Sequence, residues 1–196
     1  MPANKKQLLV LLPLVFSINA CMHTDDDEAP ANELIGSWGG ECQISEVTES
    51  EKFTITFTNA EYSFTSTRYG DTSCTASLIT MDGSSKGTYK IGNEIILTSG
   101  ETVKEIDFTF TQLIFAPKHQ NVADYFNNNN QCGKNDWEVD VAADVSGCTD
   151  FVGSGTNYDI YKLKDGELFF GDENLDEGDT VENRISALEA EGMPKN

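Results

Sequence analysis

The sequence predicts an all-β domain, an antiparallel meander of about 8–10 strands closing into a barrel, with a two-sheet sandwich as the alternative architecture. Three observations predict it. Apolar residues recur at every second position, as where Phe53, Ile55 and Phe57 alternate with Thr54, Thr56 and Thr58, which places an apolar row on one face of a strand. The runs are short and are separated by Gly, Asn and Asp pairs of the kind that reverse a chain. So many antiparallel strands would leave exposed edges, and closing the sheet removes them.

Taken in order, Gly36-Ser37-Trp38 opens the first strand, and the second carries the Phe53 to Thr58 alternation. Asn59-Ala60 separates it from a third, where Tyr62 and Phe64 alternate with Ser63 and Thr65, and Gly70-Asp71 turns the chain toward Cys74 to Met81. Further turns are expected at Asp82-Gly83-Ser84, Gly92-Asn93 and Ser99-Gly100. Ile106, Phe108 and Phe110 share one parity while Leu113 and Phe115 take the other, which predicts a bulge near Thr111 or Gln112. Ala116 to Asp136 contains the polar run Asn127 to Asn130 and reads as a loop over one end. Strand signals resume at Trp137 to Val141, Tyr158 to Leu163 and Glu167 to Phe170, the last two joined by Asp165-Gly166. A short C-terminal helix is expected around Val181 to Leu188, plugging a barrel end through Ile185 and Leu188.

Ahead of the domain, Lys5 and Lys6 precede an apolar run from Leu8 to Phe16, and Ile18-Asn19-Ala20-Cys21 follows. This segment resembles the signal and lipobox of bacterial lipoproteins. The resemblance implies that residues 1–20 are removed and that Cys21 carries lipid. Residues 21–32, with Asp25, Asp26, Asp27, Glu28 and Pro30, then form an acidic tether, residues 33–188 the single domain, and residues 189–196 a tail. Met22, rather than an aspartate, follows the cysteine, which implies delivery to the outer membrane of the cell envelope.

With Cys21 lipidated, Cys42, Cys74, Cys132 and Cys148 remain, an even number that suits disulfides in an oxidising compartment. Three pairings are open. Local closure favours Cys42 with Cys74 and Cys132 with Cys148. A four-thiolate metal site is disfavoured because no C-x-x-C pair occurs.

The full sequence has a formal charge of −20, and loss of Lys5 and Lys6 with the leader leaves 11 basic against 33 acidic side chains, about −22. Such a field repels nucleic acid and anionic lipid surfaces, and leaves cationic or neutral partners.

Gly36-Ser37-Trp38 is similar to the G-x-W motif of lipocalins and lipocalin-like bacterial lipoproteins. The resemblance implies a ligand-holding barrel whose narrow end is closed by Trp38 beneath an arginine, the place of Arg184. Phe53, Phe57, Phe64, Phe108 and Phe110 are then the candidate lining for a small apolar ligand, or else the filling of a solid core.

Other chemistry finds little footing. Asp172, Asn174 and Asp176 occupy the first three ligand positions of an EF-hand-like loop, but Glu177 stands where that loop needs glycine and Asn183 where it needs glutamate, so at most weak calcium binding is expected. His23 lies in the tether, which leaves His119 as the one conceivable base, and Gly153-Ser154-Gly155 lacks the nucleophile-elbow spacing. No enzyme activity and no cofactor are expected. The reading is a non-enzymatic envelope lipoprotein that binds a small apolar ligand in the barrel. The alternatives are an acidic module for a cationic protein such as a lysozyme-type enzyme, and a structural surface lipoprotein.

Overall fold

The computed structural model describes residues 32–148, 155–172 and 178–196. The leader, Cys21 and the tether up to residue 31 lie outside the described residues, as do Asn174 and Asp176 of the acidic loop. Among the described residues nine strands form one sheet: β1 (Gly36–Glu46), β2 (Glu49–Phe57), β3 (Glu61–Tyr69), β4 (Ile79–Ile96), β5 (Thr102–Pro117), β6 (Ala143–Asp144), β7 (Thr156–Lys164), β8 (Glu167–Phe170) and β9 (Met193–Pro194). The helix α1 (Gln120–Asn128) follows β5.

Every ladder is antiparallel, and the path runs β1-β2-β3-β4-β5-β7-β8-β9, with β6 paired to β5 beside it. The ring then meets its own start. Trp38 bridges Lys195, and the Asn196 amide donates to the Ser37 carbonyl at 2.9 Å. Eight strands thus form a nearly closed barrel of lipocalin-like architecture. The last residues, set aside above as a tail, supply β9 and so complete the ring.

The period-two pattern decides which face turns inward. Ile55 pairs with Phe64 and Phe57 with Tyr62, so one row of β2 and one of β3 share the interior. On β5 the register shifts between Phe110 and Gln112, leaving Thr111 as the extra residue whose hydroxyl donates to the Lys86 carbonyl at 3.0 Å. That bulge restores Leu113 and Phe115 to the interior face. Asp165 and Gly166 both take positive φ, 55° and 87°, as a two-residue hairpin between β7 and β8 requires.

Two expected turns are strand instead. Asp82-Gly83-Ser84 and Gly92-Asn93 both lie inside β4, which runs unbroken for 18 residues. Their glycines answer to close packing. A Cβ on Gly83 would sit 2.9 Å from Ser66 Oγ and 3.1 Å from the Phe115 ring, and one on Gly92 would sit 2.8 Å from the Glu105 side chain at a register shift.

Two further expectations change. Trp137 to Val141 is not strand; the short β6 follows it at Ala143–Asp144. Val181 to Leu188 is not helical, and among the described residues the α-helix is α1, inside the stretch read as loop. The C-terminal segment stays extended because other strands take its backbone: Ile185 N–H donates to the Tyr158 carbonyl at 3.3 Å and Glu189 N–H to the Phe170 carbonyl at 2.9 Å. Ile185 is buried there, while Leu188 packs on the small cluster of Leu97, Val103 and Ile160.

Candidate functional site

The interior decides what the barrel can hold. Phe57, Tyr62, Ile106, Phe108, Tyr161 and Leu168 are buried in one cluster with Trp38 and Leu34. Their rings interlock. Tyr62 meets Phe108 edge-on at 4.9 Å between centroids, Phe57 meets Tyr89 edge-on at 4.9 Å, and Phe170 meets Phe108 at 5.7 Å. Of the five candidate lining residues, Phe57 and Phe108 are core, whereas Phe53, Phe64 and Phe110 are half-buried against that core, Phe53 stacked on Phe64 at 5.8 Å. Burial pushes the Tyr62 hydroxyl well above the usual phenol range, so it stays neutral beside Ser85.

One barrel end is sealed by the residues that lead into β1. Leu34 is fully buried, and its carbonyl accepts the Trp38 indole N–H at 2.8 Å. Asn32 reaches the Tyr89 hydroxyl, and Glu33 Oε1 accepts from Lys104 Nζ at 2.7 Å and from the Tyr161 hydroxyl at 2.8 Å. Trp38 is buried beneath these residues, and the cation over its ring is Lys195, whose Nζ lies 4.9 Å from the centroid. Arg184 is elsewhere. It lies on the outer face between β5 and β7, over Tyr158 at 5.5 Å, where its guanidinium meets Asp107 and two backbone carbonyls. The lysine reaches Trp38 because β9 brings residue 195 across from Trp38 itself. Sequence reading missed it by looking for an arginine.

The Lys104 ammonium beside Glu33, helped by the Tyr161 hydroxyl and opposed by partial burial, holds this carboxyl below its ordinary value of 4.5. A lowered folded value contributes stability above the ordinary value that is lost as pH falls through the folded one. Glu33→Gln is therefore expected to be slightly less stable than the native chain at pH 7 and to converge with it below pH 4.5. The side chain is 41% exposed, so the difference is expected to stay under about 1 kcal/mol. Urea midpoints of the two chains across that range check it, and a difference that persists into strong acid overturns it.

The opposite end is capped by α1 and the residues up to Cys148. His119 caps the helix, its Nδ1 accepting from the Asn121 amide at 3.2 Å, so this histidine has a structural task. Ala123 and Phe126 turn inward, and Phe126 meets Trp137 edge-on at 4.9 Å. Asn127, one of the polar run, clasps the Trp137 backbone from both sides: its Oδ1 accepts from the N–H at 2.7 Å and its Nδ2 donates to the carbonyl at 2.9 Å. Leu113, Val145 and Cys148 complete a second buried cluster, with Met81 and Phe115 packed against it.

Both disulfides formed have the locally closing pairing. Cys42–Cys74 pins the loop after β3 onto the first hairpin, with Ser50 Oγ donating to the Asp71 carbonyl at 2.6 Å and accepting from the Cys74 amide at 3.0 Å. Cys132–Cys148 ties the turn after α1 to the end of the cap across a sequence separation of 16. Converting both Cys132 and Cys148 to serine is expected to cost about 3 kcal/mol, chiefly by freeing the unfolded chain. The urea midpoint reads this loss, and an unchanged midpoint overturns the expectation.

On the outer side of this cap is a depression of about 290 Å³, walled by Lys134, Asp136, Trp137, Glu138, Val141 and Asp144 among others. Lys134 Nζ lies 3.0 Å from Asp136 and 6.0 Å from the Trp137 ring centroid. That ammonium holds the Asp136 carboxyl below its usual range, and the Ser146 hydroxyl and amide do the same for Asp144. Of the EF-hand-like residues, Asp172 is described, and its amide donates to the Ala187 carbonyl at 2.9 Å.

No protein-family model matches the chain, and no curated protein matches it. Fold and site together define a class: an antiparallel, disulfide-pinned β-barrel with an aromatic interior, one end sealed by the residues that lead into β1 and the other capped by a helix and loop.

Proposed function

We propose that this chain is a non-enzymatic binding lipoprotein of the bacterial cell envelope, attached by lipid on Cys21, and that its barrel presents an acidic surface to a cationic protein, of which a lysozyme-type enzyme is one example. The observation that carries this reading is the packed interior, where Phe57, Tyr62, Phe108 and Phe170 occupy one another's contact distance. Close-packed rings leave a guest no volume without displacing a side chain. What remains for recognition is the outside, and its charge is strongly negative. The lipobox-like segment and the two disulfides support an extracytoplasmic address. The carrier reading retains one point in its favour, the half-buried rings of Phe53, Phe64 and Phe110 on the inward face.

The full chain, made in an oxidising periplasm, tests both readings. Native and denaturing mass spectra are expected to agree, with no copurifying small molecule, and binding to a cationic lysozyme is expected to weaken as salt rises. A reproducible extra small-molecule mass, or no binding of lysozyme at low salt, overturns the proposal. Cys21→Ser is expected to move the protein out of the membrane fraction; retention there removes the lipid anchor from the reading.

A further inference from the structure

We infer that the depression in the cap is the contact site, and that it receives a lysine or arginine side chain from the surface of a basic partner protein. The inference rests on the reading above, which gives the partner's charge, and adds where and how it docks.

Four observations converge there. First, the depression is roomy for a single side chain, about 290 Å³, and is walled by both carboxylates and apolar groups. An extended cationic side chain needs both, apolar surface along its stem and oxygen acceptors at its tip. Val141, Ala142 and Ala143 supply the first, and Asp136, Glu138 and Asp144 the second.

Second, the wall already holds a cation of this kind. Lys134 of the chain itself sets its ammonium 3.0 Å from Asp136 and over the Trp137 ring, which shows the acid and the aromatic acting together on an amine. Glu138 is not used in this way. Among the described residues it joins none of the ion pairs.

Third, acids outnumber bases there. Residues 118–148 hold five carboxylates and two lysines, and both lysines are already engaged, Lys134 with Asp136 and Lys118 with Asp140 at 2.7 Å and Asp82 at 3.5 Å. Large apolar side chains stand exposed in the same cap, Val141 on the wall itself and Tyr125 on α1. Apolar groups with a carboxylate rim match the anatomy of a protein contact rather than of a site for a free ion.

Fourth, the site is rigid before anything binds. Trp137 is 4% exposed and held by Asn127, by Phe126 and by the Gln131 carbonyl, which accepts its indole N–H at 3.3 Å. The disulfide and the β5–β6 ladder fix the two flanks. A preformed site loses little entropy on docking.

Carboxyl footprinting of the full chain, with and without cationic lysozyme, tests the inference. Protection from carbodiimide coupling is expected at Asp136 and Glu138 and not at Glu94, an acid on β4 outside the cap. Glu138→Lys is expected to weaken lysozyme binding at least tenfold, whereas Glu94→Lys, which changes net charge equally, is expected to weaken it less than threefold. Equal weakening by the two variants, or protection confined to other carboxylates, overturns the inference while leaving an acidic binding module intact. Absence of lysozyme binding by the native chain removes the module reading as well. Equal protection by spermidine at the same concentration would assign the depression to a free polyamine and overturns docking of a protein.

Discussion

Replacing Arg184 with alanine is expected to destabilise the barrel by about 3–5 kcal/mol, the range for removing one partner of a buried charge network. The guanidinium is 11% exposed and meets two carboxylates and two backbone carbonyls. One terminal nitrogen donates to the Asp159 carbonyl at 2.8 Å and the Ile106 carbonyl at 3.2 Å, and the other to Asp107 at 2.7 Å. Its Nε lies 3.4 Å from Glu105, an ion pair without hydrogen-bond alignment. Alanine would leave Glu105 and Asp107, both largely covered, facing one another's charge without a cation, and would strip two inter-strand carbonyls of a donor. It would also loosen the C-terminal segment, since Ile185 and its backbone contact with β7 come next in the chain. Arg184→Lys keeps the charge but not the planar fork, so it is expected to recover less than half of the loss. Urea unfolding of the oxidised protein reads both variants. A loss below about 1 kcal/mol for alanine would show that solvent or neighbouring lysines replace the guanidinium.

This arginine marks where sequence reading stops. A G-x-W motif and a late arginine fit the lipocalin pattern, yet pairing them needs the distance between two ends of the domain, which spacing in sequence does not contain. Lys195 takes the place over Trp38 because β9 closes the ring beside β1, and a two-residue strand has too few positions to show alternation. Local signals read well where local physics decides. The Phe53 to Phe57 alternation set β2, the parity change across Phe110 and Leu113 located the Thr111 bulge, and Asp165-Gly166 made its hairpin. Glycine misled where it serves packing rather than turning. Gly83 and Gly92 sit in mid-strand because Ser66, Phe115 and Glu105 need the space a side chain would fill. The C-terminal helix failed for a related reason, since its backbone groups are spent on Tyr158 and Phe170.

The candidate site was legible only as a class. Acidic charge and the cysteine pairs could be counted, but the cap depression depends on Asn127 reaching ten residues along the chain to hold Trp137. A run of four asparagines reads as loop by composition, and nothing in it distinguishes the one that builds a clasp.

Phe108→Ala carries the second large effect and bears directly on what the barrel is for. Phe108 touches Phe57, Tyr62 and Phe170, with centroids at 6.2, 4.9 and 5.7 Å, and is 7% exposed. Truncation is expected to cost about 3–5 kcal/mol, the transfer of the ring plus the void it leaves. A void lined by three aromatic rings is apolar and stays dry, so it should accept a benzene-sized guest. The variant is therefore expected to gain thermal stability when indole or benzene is added, while the native barrel gains none. Phe108→Leu, which removes less volume, is expected to lose less stability and to gain less from the guest, and it keeps the test readable if the alanine variant unfolds. Equal stabilisation of the native chain by indole would mean that the half-buried Phe53, Phe64 and Phe110 already border usable space. In that case the small-ligand reading replaces the acidic docking module, because a barrel that yields to a guest without mutation has a use for its interior.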